Sequence, residues 1–227
     1  MNDKKIIVAL DSNNLTESLN LVDEIKNETF AFKIGYEFFF NFGLDGYKSI
    51  QNKQVKIFLD LKLHDIPNTV KNGIEAISNL RPYFTTIHIS GGDEMQRQAV
   101  FAKKNTKILG VSILTSIDDT QAEKYYNNRD IKNLVKNFVE YSVLNKLDGV
   151  VCSPQEIEHI KKLSLNKLEI ITPGIRPENY NKSDDQKRFM TPKEAIKLGA
   201  NYLVIGRPIT KSINPLIQIK SINSSIE

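Results

Sequence analysis

The sequence predicts an α/β fold, a single-domain (β/α)8 barrel over residues 1–227, and three observations support it. Eight short apolar runs recur along the chain, and segments with helical periodicity separate them. The 227 residues are about the length at which such a barrel closes. No G-x-G-x-x-G follows the first run, although an open doubly wound sheet that binds a dinucleotide usually has it there. Strand and helix therefore alternate in a pattern that favours a closed barrel.

The predicted strands are rich in Ile, Val, Leu and Phe without polar alternation, as expected for parallel strands covered on both faces. In chain order they are residues 5–10, 30–34, 55–59, 85–89, 108–114, 149–152, 168–171 and 202–205. Apolar spacing from Leu15 to Ile25 predicts the first helix, and spacing from Ile131 to Phe138 predicts a later one. Pro67 disfavours helix at Ile66 and predicts a helix that begins near residue 67.

Composition and charge exclude several classes of protein. The net charge is +4 and the lysines are scattered, which argues against a nucleic-acid-binding or membrane-binding surface. One cysteine, Cys152, excludes an internal disulfide. No apolar stretch approaches the roughly 18–20 residues that span a bilayer, and the first residues lack the features of a secretory signal. We therefore expect a cytoplasmic protein.

Charged and polar residues stand where the predicted strands end. In a (β/α)8 barrel the loops at these carboxyl ends converge on one opening, where the active site lies. Charges that were buried apart would be costly, so we expect them around one polar cavity. They are Asp11, Lys33, Asp60, Lys62, Thr115, Ser116, Arg176, Gly206 and Arg207.

The hexapeptide "DLKLHD" at residues 60–65 carries the most informative charges. Asp60 and Lys62 are two apart on an extended segment, so their side chains should share a face, and Asp65 follows after the strand. Two flanking carboxylates would favour the ammonium form of Lys62. A fixed ammonium suits stabilisation of negative charge on carbon and protonation of that carbon. A purely structural ion-pair network at the barrel rim is the alternative.

The loops after the seventh and eighth strands, "PGIRP" and "GRPIT", suggest a phosphate site. Barrel enzymes often bind phosphate there through backbone N–H groups, and arginine offers a planar fork to the oxygens. Arg176, Gly206 and Arg207 fit this use, although they could be ordinary rim residues. The polar segment 177–188 is long enough to form a flap, and it contains Gln186.

A metal site built on histidine is not indicated. His64, His88 and His159 lack metal-ligand spacing, and Cys152 has no second cysteine. We interpret His64 as a packing or hydrogen-bonding residue beside the site, and Cys152 as a small buried hydrophobic residue. The aromatic run "YEFFFNF" at residues 36–42 is interpreted as helix packing or as a subunit contact.

Seven segments in order resemble orotidine 5'-phosphate decarboxylase of the bacterial type. They are "VALD" at 8–11, "FKIG" at 32–35, "DLKLHDIPNTV" at 60–70, "LTS" at 114–116, "PGIRP" at 173–177, "DDQ" at 184–186 and "VIGRPIT" at 204–210. The eleven-residue block is the most specific, with Leu63 where the family usually has phenylalanine. The resemblance implies removal of CO2 from C6 of orotidine 5'-monophosphate to give UMP, the last step of de novo pyrimidine nucleotide synthesis, without a metal or organic cofactor.

The resemblance also implies roles for individual residues. Lys62 would stabilise the carbanion-like centre and protonate it. Asp60 and Asp65 would hold the Lys62 ammonium in place, and Lys33 would be the fourth charged residue of the site. The residues implied to bind substrate are Asp11 and Lys33 at the ribose, Thr115 near the pyrimidine, and Arg176, Gln186, Gly206 and Arg207 at the phosphate. Asp65 and Thr69 would reach the neighbouring subunit's site, which implies a homodimer with shared sites.

Three other functions remain open from the sequence. Mg²⁺-dependent sugar-phosphate decarboxylases and hexulose-phosphate synthases share D-x-K-x-x-D on the same barrel. A lysine Schiff-base aldolase would need a neutral amine, which flanking aspartates disfavour. A non-catalytic nucleotide-binding protein would keep the phosphate residues and lose one of the charged residues Lys33, Asp60, Lys62 and Asp65, but all four are present.

Overall fold

A computed structural model describes residues 4–177 and 190–227. Eight parallel strands form a closed barrel in sequence order, which confirms the predicted fold class. The strands are β1 Ile6–Ala9, β2 Ala31–Ile34, β3 Ile57–Leu63, β4 Phe84–His88, β5 Lys107–Val111, β6 Gly149–Val151, β7 Glu169–Thr172 and β8 Tyr202–Ile205.

Helices follow the strands and cover the barrel. They are α1 Leu15–Ile25, α2 Tyr36–Gln51, α3 Pro67–Leu80, α4 Asp93–Ala102, α5 Asp119–Tyr126, α6 Ile131–Leu144, α7 Ile157–Ser164, α8 Pro192–Leu198, α9 Arg207–Thr210 and α10 Pro215–Ser225. The predicted start of α3 is confirmed, because Ile66 is extended at φ −59° and ψ 152° and Pro67 takes the first helical position. No helix within the described ranges is long and apolar enough to cross a membrane.

Two layers of apolar side chains form the core. The larger layer lies between strands and helices, and it includes Val22 and Ile25 of α1 and Val135 of α6. The smaller layer fills the barrel interior, where Phe58 and Phe84 meet edge to face with ring centroids 5.8 Å apart. Because the side chains of a strand alternate between its faces, the residues two positions after these interior ones continue the interior toward the barrel opening.

The third strand differs from its prediction. It was expected over residues 55–59, yet β3 runs from Ile57 to Leu63 and contains both Asp60 and Lys62. The reason is an irregularity, because Leu59 pairs with Thr85 and Leu63 pairs with Ile87, so residues 60–62 lie opposite Thr86 alone. Lys62 has φ +45°, a left-handed conformation, so the regular extended backbone assumed for this segment was wrong.

The aromatic run at residues 36–42 lies on α2 and divides between core and surface. Phe38 is fully buried, whereas Phe40 is 78% exposed and Tyr36 is 48% exposed. The rings of Tyr36 and Phe40 stack with centroids 5.8 Å apart. The prediction of helix packing is therefore correct for Phe38, while Phe40 remains available for a contact with another chain.

Candidate active site

The charged residues of strands β2 and β3 continue the barrel interior. Lys33 follows Ala31, and Asp60 follows Phe58, each two residues beyond an apolar side chain of the inner layer. Ala31 and Phe58 lie inside the barrel, so the alternation of the strand directs Lys33 and Asp60 into its opening. Asp60 is only 7% exposed, so its charge requires partners.

Four of the residues predicted at strand ends form one ion-pair cluster. Lys62 Nζ lies 2.8 Å from Asp60 Oδ2, and Lys33 Nζ lies 3.7 Å from the same oxygen. Lys33 Nζ also lies 3.4 Å from Asp11 Oδ1. The prediction that these charges surround one polar opening is confirmed for Asp11, Lys33, Asp60 and Lys62.

The pKa of Asp60 reflects a competition between burial and neighbouring charges. Burial raises the pKa of this carboxyl, whereas Lys33 and Lys62, with hydrogen bonds from Lys62 and Thr86, lower it by a larger amount. The pKa of Asp60 is therefore held below its ordinary value. At neutral pH the site therefore holds an anion between two lysine ammonium groups.

Asp65 does not flank Lys62 within the chain, contrary to the prediction from "DLKLHD". Its Oδ1 accepts a hydrogen bond of 2.7 Å from the Ile66 backbone N–H, and its side chain is exposed. The cause is the turn at residues 64–66, which carries Asp65 out of the strand before α3 begins. Thr69, in the first turn of α3, is exposed as well.

Tyr36 and His88 lie near Lys62 and were not assigned to the site from the sequence. Tyr36 Oη donates to the Leu61 carbonyl at 3.2 Å, and Lys62 Nζ stands 5.8 Å from the centre of the Tyr36 ring. His64 and His88 face each other with ring centroids 5.2 Å apart, which agrees with the interpretation of His64 as a residue beside the site. Burial, followed by the charges of His64 and Lys62, lowers the pKa of His88 despite the opposing effect of Asp60.

Thr86 was also missed, because the sequence does not show which apolar residues near β4 face the barrel interior. It follows the inner-layer residue Phe84 by two positions, as Asp60 follows Phe58. Its hydroxyl lies 2.9 Å from Asp60 Oδ1. Once the interior residues are known from the structure, counting two positions forward from Phe84 finds Thr86.

The other predicted residues that the structure describes follow the carboxyl ends of β5, β7 and β8. Thr115 is half-buried in the turn after β5, which ends at Val111 and not at residue 114 as predicted. Arg176 follows β7, and its Nη1 donates to the Ile175 carbonyl at 3.0 Å. Arg207, which is exposed, begins α9 directly after β8.

Gly206 and Asp11 lie close to each other at the barrel opening. A Cβ placed on Gly206 would lie 3.9 Å from Asp11 Oδ2, so the end of β8 is adjacent to the ion-pair cluster. Gln186 and nearly all of the predicted flap at 177–188 lie outside the described residues.

Within residues 4–177 and 190–227, no group of three or more His, Cys, Asp or Glu side chains could hold a metal ion. Cys152 is buried as predicted, at 2% exposure, and burial raises the pKa of its thiol. A buried thiol with a raised pKa is a poor nucleophile and a poor metal ligand.

Comparisons with known proteins agree with the geometry. Residues 4–222 match the model of the Orotidine 5'-phosphate decarboxylase / HUMPS family. The chain is 40% identical over 229 residues to Orotidine 5'-phosphate decarboxylase of Glaesserella parasuis, with 99% of each chain covered. It is 38% identical to the enzyme of that name from Vibrio cholerae, with 100% of each chain covered. The crystal structure of Orotidine 5'-phosphate decarboxylase from Lactobacillus acidophilus superimposes with a TM-score of 0.84 at 33% identity, over 99% of this chain and 100% of that one.

Proposed function

The chain belongs to the orotidine 5'-phosphate decarboxylase / HUMPS family, and on that premise we propose that its ion-pair cluster decarboxylates orotidine 5'-monophosphate. The products are UMP and CO2, and the reaction completes de novo pyrimidine nucleotide synthesis. The observation that carries the proposal is the ammonium of Lys62, held 2.8 Å from Asp60 at the opening of the barrel.

Lys62 is suited to the negative charge that decarboxylation creates. When CO2 leaves, the electron pair of the broken C–C bond stays on C6 of the pyrimidine. An ammonium beside C6 stabilises that charge and then transfers one proton to it, which forms the C6–H bond of UMP. Lys62, left neutral, takes a proton from water after the reaction.

Asp60 prepares the site before substrate arrives. Its carboxylate is anionic, buried and shared by Lys33 and Lys62, so both ammonium groups are fixed without the substrate. In the proposed complex it stands beside the departing carboxylate. Charges that are already oriented need no reorganisation in the transition state, which is the largest source of catalysis in many enzymes.

The rest of the nucleotide is assigned to the loops around the cluster. We assign the ribose hydroxyls to Asp11 and Lys33, which lie 3.4 Å apart, and the pyrimidine to Thr115. The phosphate is assigned to Arg176, Gly206 and Arg207, together with Gln186 from outside the described residues. The proximity of Gly206 to Asp11 supports this arrangement, because ribose and phosphate are adjacent in a nucleotide.

We further assign Asp65 and Thr69 to the active site of a second copy of this chain. Both are exposed, and Asp65 forms no ion pair with any residue of 4–177 or 190–227. Five of the exposed apolar side chains lie on the neighbouring elements α2 and α4 and just before α3. They are Tyr36, Phe40, Leu44, Ile66 and Phe101, with exposures of 48%, 78%, 48%, 67% and 77%. In the homodimer that we propose, these side chains are buried at the interface and Asp65 lies beside the partner's Lys62.

The proposed enzyme works without a metal or an organic cofactor, as one domain of residues 1–227, in the cytoplasm. The geometry of Asp60 supports the first point, because its Oδ2 faces two ammonium groups and its Oδ1 accepts from Thr86. A divalent cation at this carboxylate would be repelled by both lysines. The nucleotide substrate supports a cytoplasmic location, since the charge of a nucleotide keeps it inside the cell.

The decisive experiment follows the loss of orotidine 5'-monophosphate absorbance with EDTA-treated protein. Lys62→Ala is compared with Lys107→Ala, which removes a lysine paired to Glu169 at 2.7 Å at the start of β5, at the opposite end of the barrel. We expect turnover by the wild type and by Lys107→Ala, and none by Lys62→Ala. Activity that requires added Mg²⁺ and a sugar phosphate would favour the metal-dependent branch, and borohydride trapping of a substrate adduct would favour a Schiff base.

The shared site is tested by mixing two inactive variants, Lys62→Ala and Asp65→Ala. In a mixed dimer, one site takes Lys62 from one chain and Asp65 from the other, so that site is intact. Random exchange at equal amounts makes half of the dimers mixed, and about a quarter of the wild-type activity should return. No recovery after demonstrated exchange of subunits would contradict the shared site.

A further inference from the structure

The irregular part of β3 lies opposite a single residue of β4. Residues 60–62 lie opposite the single residue Thr86, because the flanking pairs are Leu59 with Thr85 and Leu63 with Ile87. Extra residues in a strand interrupt the backbone hydrogen bonds of the sheet. Thr86 is fully buried at this point, at 0% exposure.

The hydroxyl of Thr86 replaces the interrupted bonds. It accepts a hydrogen bond from the Lys62 backbone N–H at 2.9 Å and lies 2.9 Å from Asp60 Oδ1. The Lys62 N–H can only donate, and an ionised Asp60 can only accept, so the hydroxyl proton is directed at Asp60. The side chain of Thr86 also has little freedom to rotate away, since β-branching restricts χ1 and the residue is fully buried.

Both contacts bear on the position of Lys62. With Oδ1 of Asp60 bound to Thr86, Oδ2 is the oxygen that faces Lys62 and Lys33. The backbone of Lys62 has φ +45°, which a residue other than glycine keeps only when its surroundings hold it. Thr86 therefore contacts the two parts that determine where the Lys62 ammonium stands, its backbone and its carboxylate partner.

We propose that Thr86 is a positioning residue of the decarboxylation site, which orients the Asp60 carboxylate and secures the left-handed backbone of Lys62. The inference rests on the function proposed above. Thr86 would contact neither substrate nor reacting atoms, and its effect on the chemistry would pass entirely through Asp60 and Lys62.

Thr86→Val tests the hydroxyl, because valine keeps the shape of threonine. The matched control is Thr85→Val, since Thr85 is equally buried on the same strand and donates to the Leu59 carbonyl at 2.9 Å. Both variants lose one buried hydroxyl that bonds to β3, and only one of those hydroxyls contacts the ion-pair cluster.

We expect Thr86→Val to lower kcat about 10- to 100-fold, the range for losing a hydrogen bond to a charged group, with KM changed less than about threefold. Thr85→Val should keep kcat near the wild-type value, although both variants melt earlier. Thr86→Ser should recover most of the lost kcat, because it restores the oxygen. A merely structural role would lower the melting temperature without this loss of kcat in the folded protein.

The outcomes separate the two proposals. Absence of turnover in the wild type would refute the proposed function and, with it, the role of Thr86. An active wild type with equal kcat for Thr86→Val and Thr85→Val would overturn the role of Thr86 alone. If Thr86→Val does not fold, Thr86→Ser and Thr86→Ala are compared, since both lose the methyl group and only serine keeps the hydroxyl. Equal kcat for that pair would overturn the inference.

Discussion

Replacing Asp60 with asparagine removes one negative charge and leaves the shape of the side chain almost unchanged. In the wild type, Asp60 Oδ2 faces Lys62 Nζ at 2.8 Å and Lys33 Nζ at 3.7 Å. In Asp60→Asn, the amide oxygen can still accept from Thr86, and the amide NH2 then points at the two ammonium groups. The amide NH2 is itself a donor and cannot accept from the two ammonium groups, so Lys33 and Lys62 lose the carboxylate that they share.

The cost in stability follows from the burial of the three side chains. Removing one partner of a buried ion pair costs about 3–5 kcal/mol. Two features lower this value here, because the lysine side chains are 13% and 25% exposed and can turn partly toward water, and because the buried carboxylate no longer has to be desolvated. We expect a loss of about 2–3 kcal/mol, which lowers the melting temperature by about 4–12 °C in a chain of this size.

Urea unfolding and the absorbance assay together check this prediction. Asp148→Asn is the matched control, because Asp148 accepts from the Ile108 N–H at 2.7 Å and pairs with Lys103 at 2.5 Å, just before β6 at the opposite end of the barrel. Both variants should lose stability, and only Asp60→Asn should lose activity, by about 10²- to 10³-fold in kcat/KM. A variant Asp60→Asn with wild-type stability would refute the view that this anion holds the two lysines in place.

Three further predictions concern the phosphate site, a close contact and pH. Arg207→Ala should lower kcat/KM about 100-fold in steady-state assays, since a bidentate anion contact is lost, and a near-wild-type value would remove Arg207 from the phosphate site. Gly35→Ala should lower kcat about tenfold with little change in melting temperature. The reason is that the new Cβ would lie 2.9 Å from Lys33 Nζ and would displace the ammonium end of that flexible side chain. Unchanged kcat would mean that the position of the Lys33 ammonium is not critical. The free energy of unfolding should fall as pH drops below about 6.5, because the pKa of His88 is lower in the folded protein and the unfolded chain binds the proton first. The variant His88→Gln should flatten this part of the plot of urea midpoint against pH. An unchanged slope would contradict the assignment to His88. At lower pH the contribution of Asp60, complete above its unfolded pKa of about 3.9, is lost as pH falls through its lower folded pKa.

The sequence by itself determined the fold class, the order of the strands and most of the charged cluster. Apolar runs predicted the strands, because both faces of a parallel strand in this fold are buried and its residues are therefore apolar. Such a run is visible in the local sequence. The end of each run located Asp11, Lys33 and Asp60, since a buried charge is tolerated only where the barrel opens. The contact between Asp60 and Lys62 was predicted from their spacing of two residues, although the regular extended backbone assumed for it was wrong, since Lys62 is left-handed.

Only the tertiary structure decided which residues of other elements meet these charges. Thr86 contacts residues 24 and 26 positions away, and Tyr36 contacts Leu61 across 25 positions. Such contacts depend on the register between neighbouring strands, and β3 changes register at the very residues that carry the chemistry. Hydrophobic periodicity records which side of an element is buried, whereas the partner across a sheet is set by how the strands align when the barrel closes.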